Sequence, residues 1–186
     1  VSCLHFVAQG DRIAYLAQHP LFEQLPSLLK DFSPPKYCEV GELWRTNAWI
    51  GTRGTVTPLH FDSYDNLLTQ VVGYKRIRLY SQSDTPFLYR STQPWTSQTK
   101  WPTAGHGEEA IAAGSLNAPT TEGSGRKGNV SLVDIDSVDQ DSFPLFSKAK
   151  TCTETILGPG DILYIPSRYW HHVASLSTSI SLNFLF

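Results

Sequence analysis

The chain has 186 residues, enough for one sizeable domain and too few for two comfortable ones. Its residues are 40% hydrophobic, 12% aromatic and only 17% charged, which excludes a disordered chain or a coiled coil and fits a large, aromatic-rich core. Fifteen basic against seventeen acidic residues leave a net charge of −2, so no global field draws nucleic acid or an anionic membrane, and no stable partner of either kind is expected.

Cys3, Cys38 and Cys152 are widely separated and odd in number, without CxxC or finger spacing. A structural zinc site and a disulfide framework are both disfavoured, and a reducing intracellular setting, nuclear or cytoplasmic, is expected. The sequence contains no signal peptide and no apolar run of bilayer length. It starts abruptly at Val1 and stops within an apolar alternating run at Phe186, so both ends are expected to be boundaries within a longer protein.

In chain order, residues 12–19 contain no breaker and place Ile13, Leu16 and Ala17 on one helical face, closed by Pro20. Phe22, Leu25, Leu28 and Leu29 repeat at helical spacing until Pro34-Pro35. From Trp44 the period changes to that of strands. Residues 49–51 and 55–62 read as extended segments around a Gly54 turn, and residues 67–72 and 74–80 as a hairpin about Gly73. Residues 91–129 are rich in Ser, Thr, Gly, Pro and Ala and read as a long flexible insertion within the domain that spans 1–186. Residues 131–136 return to order, and four β-rich segments follow at 153–157, 162–166, 170–174 and 179–186. Short strands with turn punctuation behind a small N-terminal helical segment predict a mainly β fold, a double-stranded β-helix or jelly roll.

His60-Phe61-Asp62 carries the chemistry. Residues at i and i+2 of a strand point to one face, so His60 and Asp62 converge on a common point. Val56, Leu59 and Phe61 mark this strand as at least half buried, where an unpartnered His and Asp are costly. A distant histidine would complete a 2-His-1-carboxylate set, which holds iron(II) by one face and leaves the other to a cosubstrate and dioxygen. Trp170-His171-His172 offers two candidates on opposite faces, and alternation does not choose between them. Taken alone, the histidines are as well explained as satisfied core residues.

Lys75 shares the apolar face of its strand with Ile77 and Leu79, while Arg76 and Arg78 take the other face. An inward lysine needs an anion. Three accounts fit: a side chain that snorkels at the strand end, a buried salt bridge, or a cation for the carboxylate of a bound dicarboxylate, for which 2-oxoglutarate is the natural choice beside a metal.

The run from Trp49 through Thr57-Pro58-Leu59-His60-Phe61-Asp62 to Asn66, Gln70, Gly73, Lys75 and Ile77-Arg78-Leu79-Tyr80 resembles a JmjC-domain oxygenase. Gly160-Asp161-Ile162-Leu163-Tyr164-Ile165-Pro166 and Tyr169-Trp170-His171 resemble the closing half of the same cupin-like barrel. Tyr15-Leu16-Ala17-Gln18-His19 and Leu21-Phe22 are similar to the small JmjC subgroup of protein hydroxylases, which includes an arginyl hydroxylase also described as a histone lysine demethylase. The resemblance covers nearly the whole chain outside 91–129.

It implies iron(II), 2-oxoglutarate and dioxygen as cofactor and cosubstrates, with His60, Asp62 and His171 as metal ligands and catalytic centre. It implies Lys75 as the partner of the 2-oxoglutarate C5 carboxylate, Tyr15, Thr57 and Asn66 as its hydrogen-bonding neighbours, and Asn183 near the C1 carboxylate. His172 becomes an outward or supporting residue, and Trp49 a pocket wall or simple core packing. The implied partner is a protein or peptide substrate, such as a histone or another chromatin- or ribosome-associated protein. The implied reaction is side-chain hydroxylation, arginine favoured, with N-methyl-lysine demethylation as the alternative. RNA-nucleoside hydroxylation and a cupin-type binding protein without activity are weaker alternatives. The insertion and Leu185, where the subgroup tends to carry an aromatic residue, depart from the pattern.

Overall fold

A computed structural model describes residues 13–92, 128–150 and 153–186. Among the described residues nine strands build two antiparallel sheets: β1 (Tyr15–His19), β2 (Arg45–Gly51), β3 (Val56–Phe61), β4 (Asn66–Val72), β5 (Lys75–Tyr80), β6 (Thr153–Leu157), β7 (Ile162–Ile165), β8 (Trp170–Ser175) and β9 (Ser179–Leu185). One sheet has the order β1-β2-β9-β4-β7 and the other β3-β8-β5-β6. This is the expected jelly-roll arrangement. Leu68, Ile77, Leu79, Leu157, Ile165 and Val173 pack between the sheets.

The outer faces are covered unequally. Ala48, Leu67, Leu182 and Phe184 of the five-stranded sheet pack against Phe22 of the short helix α1 (Leu21–Gln24) and Cys38 of a 3-10 turn (Lys36–Val40). Leu59, Tyr80 and Trp170 on the other side are covered by Val133 and Ile135. None of the described helices is long and apolar enough to cross a membrane.

Three local expectations change in the folded chain. The segment expected as a helix over 12–19 is the edge strand β1, with Tyr15 opposite Gly51 and Leu16 opposite Ile50. Five residues are too few for the helical period to decide, and the free backbone edge of β2 supplies hydrogen-bond partners that a helix does not need. The Phe22–Leu29 stretch is helical but interrupted: α1 ends before Pro26, and a 3-10 turn (Pro26–Lys30) follows. Finally, β4 and β5 do not form a hairpin. β4 pairs with β7 and β9, whereas β5 pairs with β6 and β8, so Gly73 carries the chain from one sheet to the other. Strand existence was readable locally; strand pairing is a long-range property.

The segment expected as an insertion lies, for residues 93–127, outside the described residues. Its flanks are tied to the edge of β3. The Phe61 amide donates to the Asn129 carbonyl (3.0 Å), Asn129 Nδ2 donates to the Phe61 carbonyl (2.8 Å), and the Ser131 amide donates to the Leu59 carbonyl (2.8 Å).

At the barrel end formed by Gly73 and its neighbours, buried polar groups pair with one another. Ser181 Oγ donates to Gln70 Oε1 (2.7 Å), Gln70 Nε2 donates to the Val72 carbonyl (2.6 Å), and Thr55 Oγ1 donates to Ser175 Oγ (2.9 Å). Gly73 itself has φ +73°, and a Cβ there would lie 2.1 Å from the Thr178 carbonyl oxygen. Both the left-handed backbone and the contact exclude a side chain. Gly73→Ala is therefore expected to lower stability by at least about 2 kcal/mol in urea titration, with an unchanged slope; a midpoint equal to wild type would remove this constraint.

Candidate metal centre

β3 and β8 are antiparallel neighbours, and their register sets His60 directly opposite His171. Both rings point inward, 4.1 Å apart between centroids. Asp62 stands one residue past the end of β3 on the same face as His60. Its Oδ2 lies 4.0 Å from His60 Nε2 and 3.7 Å from His171 Nε2. One ligand atom from each of the three residues falls within 4.8 Å of the others, and His60, Asp62 and His171 are the one such cluster among the described residues.

These separations are too long for hydrogen bonds and short enough for the three donors to share one ion. The tautomers agree with that use. His60 Nδ1 is 2.8 Å from the Pro58 carbonyl oxygen, and His171 Nδ1 is 3.1 Å from the Tyr169 carbonyl oxygen. A carbonyl only accepts, so each Nδ1 carries its hydrogen and each Nε2 lone pair is left facing Asp62. Burial pushes the His171 imidazole down to about 4, with His60 beside it acting in the same direction. Near neutral pH the ring is therefore uncharged, as a ligand must be. The donor set fits a divalent metal of the iron class, with an open side towards the cavity.

His172, on the opposite face of β8, does not reach this point. It is buried beneath the segment that follows residue 128, with Nε2 3.6 Å from Asp136 Oδ2. Asp136 also accepts from Arg76 (2.6 Å) and Arg78 (2.8 Å), so one carboxylate gathers the outer face of β5 and β8. The arginines that alternate with Lys75 thus have partners outside the barrel.

A cavity opens beside the triad, with His60, Asp62 and His171 in its wall. All five remaining candidates line it: Tyr15, Thr57, Asn66, Lys75 and Asn183. Trp49 forms part of its wall, and Leu68, Ile165 and Val173 supply an apolar lining that the sequence did not single out. Alternation along β4, β7 and β8 was the signal available for those three. The carbonyls of Pro58 and Tyr169 had no such signal, because any residue type supplies one.

Lys75 is 1% exposed, with no carboxylate in ion-pairing range among the described residues. This disposes of the snorkelling account and of a buried salt bridge there. Burial pushes its ammonium down to about 7. Tyr15 Oη and Thr57 Oγ1 are hydrogen-bonded at 2.7 Å, and burial raises the tyrosine, which keeps it a neutral donor. Asn66 Oδ1 and Asn183 Oδ1 are buried without a partner. A buried cation without a carboxylate partner, two hydroxyls and two asparagine amides surround a polar hollow, and the cation calls for an anionic ligand.

A family model described as "Cupin-like domain" matches residues 5–186. The chain is 42% identical over 189 residues to "JmjC domain-containing protein F" of Dictyostelium discoideum, covering 96% of this chain and 36% of that protein. It is 40% identical over 176 residues to "Lysine-specific demethylase 8" of Xenopus tropicalis, covering 92% of this chain and 32% of that one. Similarity extends to "tRNA wybutosine-synthesizing protein 5" of Gallus gallus, at 31% identity over 161 residues, 87% of this chain and 39% of that protein. The chain spans about a third of the length of these curated relatives.

The geometry predicts metal affinity directly. His60→Ala and Asp62→Ala are each expected to weaken cobalt(II) binding, read from its visible absorption, by more than about a hundredfold, beyond the loss that a supporting partner causes. The far-ultraviolet circular dichroism should stay that of wild type. Unaltered cobalt affinity in either variant would exclude this cluster as the metal centre.

Proposed function

The chain belongs to the JmjC group of cupin-like domains, and from that membership we propose that it is an iron(II)- and 2-oxoglutarate-dependent oxygenase that hydroxylates a protein side chain, arginine favoured. The observation that carries the reading is the meeting of His60, Asp62 and His171 with the unpaired, buried Lys75 in one cavity. A metal cluster alone would suit many proteins. A metal cluster sharing its hollow with a single sequestered cation suits a chelating dicarboxylate.

Each residue then has a task. His60, Asp62 and His171 would hold the metal. Lys75 takes the far carboxylate of 2-oxoglutarate, assisted by the Tyr15–Thr57 hydroxyl pair and Asn66, while Asn183 presents its amide to the other end. Leu68, Ile165 and Val173 keep the surroundings dry, which strengthens each charge-assisted bond. Iron(II), when bound, supplies dioxygen chemistry coupled to loss of carbon dioxide from 2-oxoglutarate, leaving succinate and an oxidised C–H bond. The protein contributes position, charge and exclusion of water.

Demethylation is the second reading, supported by the similarity to the lysine-specific demethylase of Xenopus tropicalis. Hydroxylation at an N-methyl carbon releases formaldehyde, so the same cavity serves both outcomes and the substrate decides. A nuclear or cytoplasmic setting and a histone or other chromatin- or ribosome-associated substrate go with either.

Two measurements test the proposal. Incubation with iron(II), 2-oxoglutarate and candidate peptides should give succinate in step with a gain of one oxygen in the peptide mass. Loss of a methyl group with formaldehyde would transfer the assignment to demethylation, and no succinate above a His60→Ala control would remove both. The second concerns pH. The ligand-free lysine, held near 7 by burial, binds a carboxylate only when charged. A bound carboxylate raises its affinity for the proton, so binding takes up a proton above pH 7. Affinity for 2-oxoglutarate should thus be flat below about pH 7 and fall by up to about tenfold per pH unit above it. Lys75→Met should bind at least about a hundredfold more weakly, with that slope gone; a retained slope would place the titration elsewhere.

A further inference from the structure

We propose that Asn47 is a positioning residue, the middle of a hydrogen-bonded relay Trp49–Asn47–Asn183 that fixes which end of the Asn183 amide faces a bound carboxylate. This rests on the reading of Asn183 as the residue beside the C1 carboxylate of 2-oxoglutarate.

Asn47 is 0% exposed, yet neither its Oδ1 nor its Nδ2 has a hydrogen-bond partner. A buried primary amide with both ends unmatched is costly, and a leucine would fill the site without that cost. Its surroundings show what the amide matches. Asn183 stands directly opposite in the β2–β9 register, with its own Oδ1 buried and unpaired. Trp49, two residues along and on the same inward face, has an unpaired Nε1. Both neighbours line the cavity, while Asn47 stands beside them outside its lining.

The unmatched atoms are complementary in kind. The indole N–H only donates, the Asn183 oxygen only accepts, and Asn47 has one group of each sort. Trp49 Nε1 donating to Asn47 Oδ1, and Asn47 Nδ2 donating to Asn183 Oδ1, closes all four with two bonds. Directly opposed strand residues have Cβ atoms about 5 Å apart, so amide rotation suffices to join the asparagines. The functional consequence lies at the far end. With its oxygen held by Asn47, Asn183 turns its NH2 group into the cavity, where it donates to a carboxylate. Released, the amide is free to turn its oxygen inward, where it repels one.

The test is a double-mutant cycle on 2-oxoglutarate binding, measured calorimetrically without oxygen in the manganese(II)-loaded protein. Asn47→Leu should weaken 2-oxoglutarate by about tenfold, leave manganese affinity unchanged, and cause no further loss when added to Asn183→Leu. Asn47→Asp, nearly the same shape but without the donor, should show at least the same loss and covers the case in which leucine misfolds. If Asn183→Leu weakens binding and the Asn47 variants do not, the relay is wrong while the cosubstrate reading stands. Losses that simply add would make Asn47 an independent structural residue, which also overturns the relay. An Asn183→Leu variant that binds like wild type would overturn the Asn183 assignment and the relay with it.

Discussion

The pairing of β3 with β8 is the constraint on which the site depends. It sets His60 against His171 across one ladder, and the carbonyls of Pro58 and Tyr169 turn both Nε2 atoms to the same point. Asp62 joins them because the chain continues in the same direction for one more residue past β3, and the Asp62 carbonyl is itself held by the Arg168 amide at 2.7 Å. The two ligand-bearing segments are therefore fastened to each other at the backbone, independently of any ion. A slip of one residue in that register would send His171 outward and bring His172 in.

Packing behind the strands defends this register. The β3 edge is paired with residues 129–131, and the outer face of β8 is closed by Asp136 with Arg76, Arg78 and His172. Trp170 is fully buried, and its Nε1 donates to Thr85 Oγ1 at 3.0 Å. The segment after residue 128 thus does for the four-stranded sheet what α1 and the 3-10 turns do for the other sheet. Each outer layer lets its sheet turn a polar inner face towards the site.

That polar inner face is the unusual feature of the interior. Barrel interiors favour apolar packing, and the middle of this one follows the rule with Ile77, Leu79, Val173 and their neighbours. Towards Gly73 the buried hydroxyls and Gln70 satisfy one another. In and beside the cavity they do not: Lys75, Asn66, Asn47, Asn183 and Trp49 Nε1 keep unmet capacity. Buried polar groups left unpaired around a cavity mark it as the place where a ligand completes the structure.

Much of this was legible in the residues themselves. Period-2 alternation located most strands, the inward position of Lys75 followed from Ile77 and Leu79, and His60 with Asp62 announced a shared face. These are local properties, because a strand's side-chain direction is fixed by its own backbone. Other features were decided only in three dimensions. Residues 15–19 became a strand because β2 offered an edge, and β4 and β5 parted because each found better neighbours in a different sheet. The geometric choice of His171 over His172 needed the β3 register, and the isolation of Lys75 needed knowledge of every carboxylate that does not approach it. The sequence by itself determined which side chains could do chemistry and which way each strand turned them. Only the tertiary structure decided which of them meet, because pairing and burial depend on residues far apart in the chain.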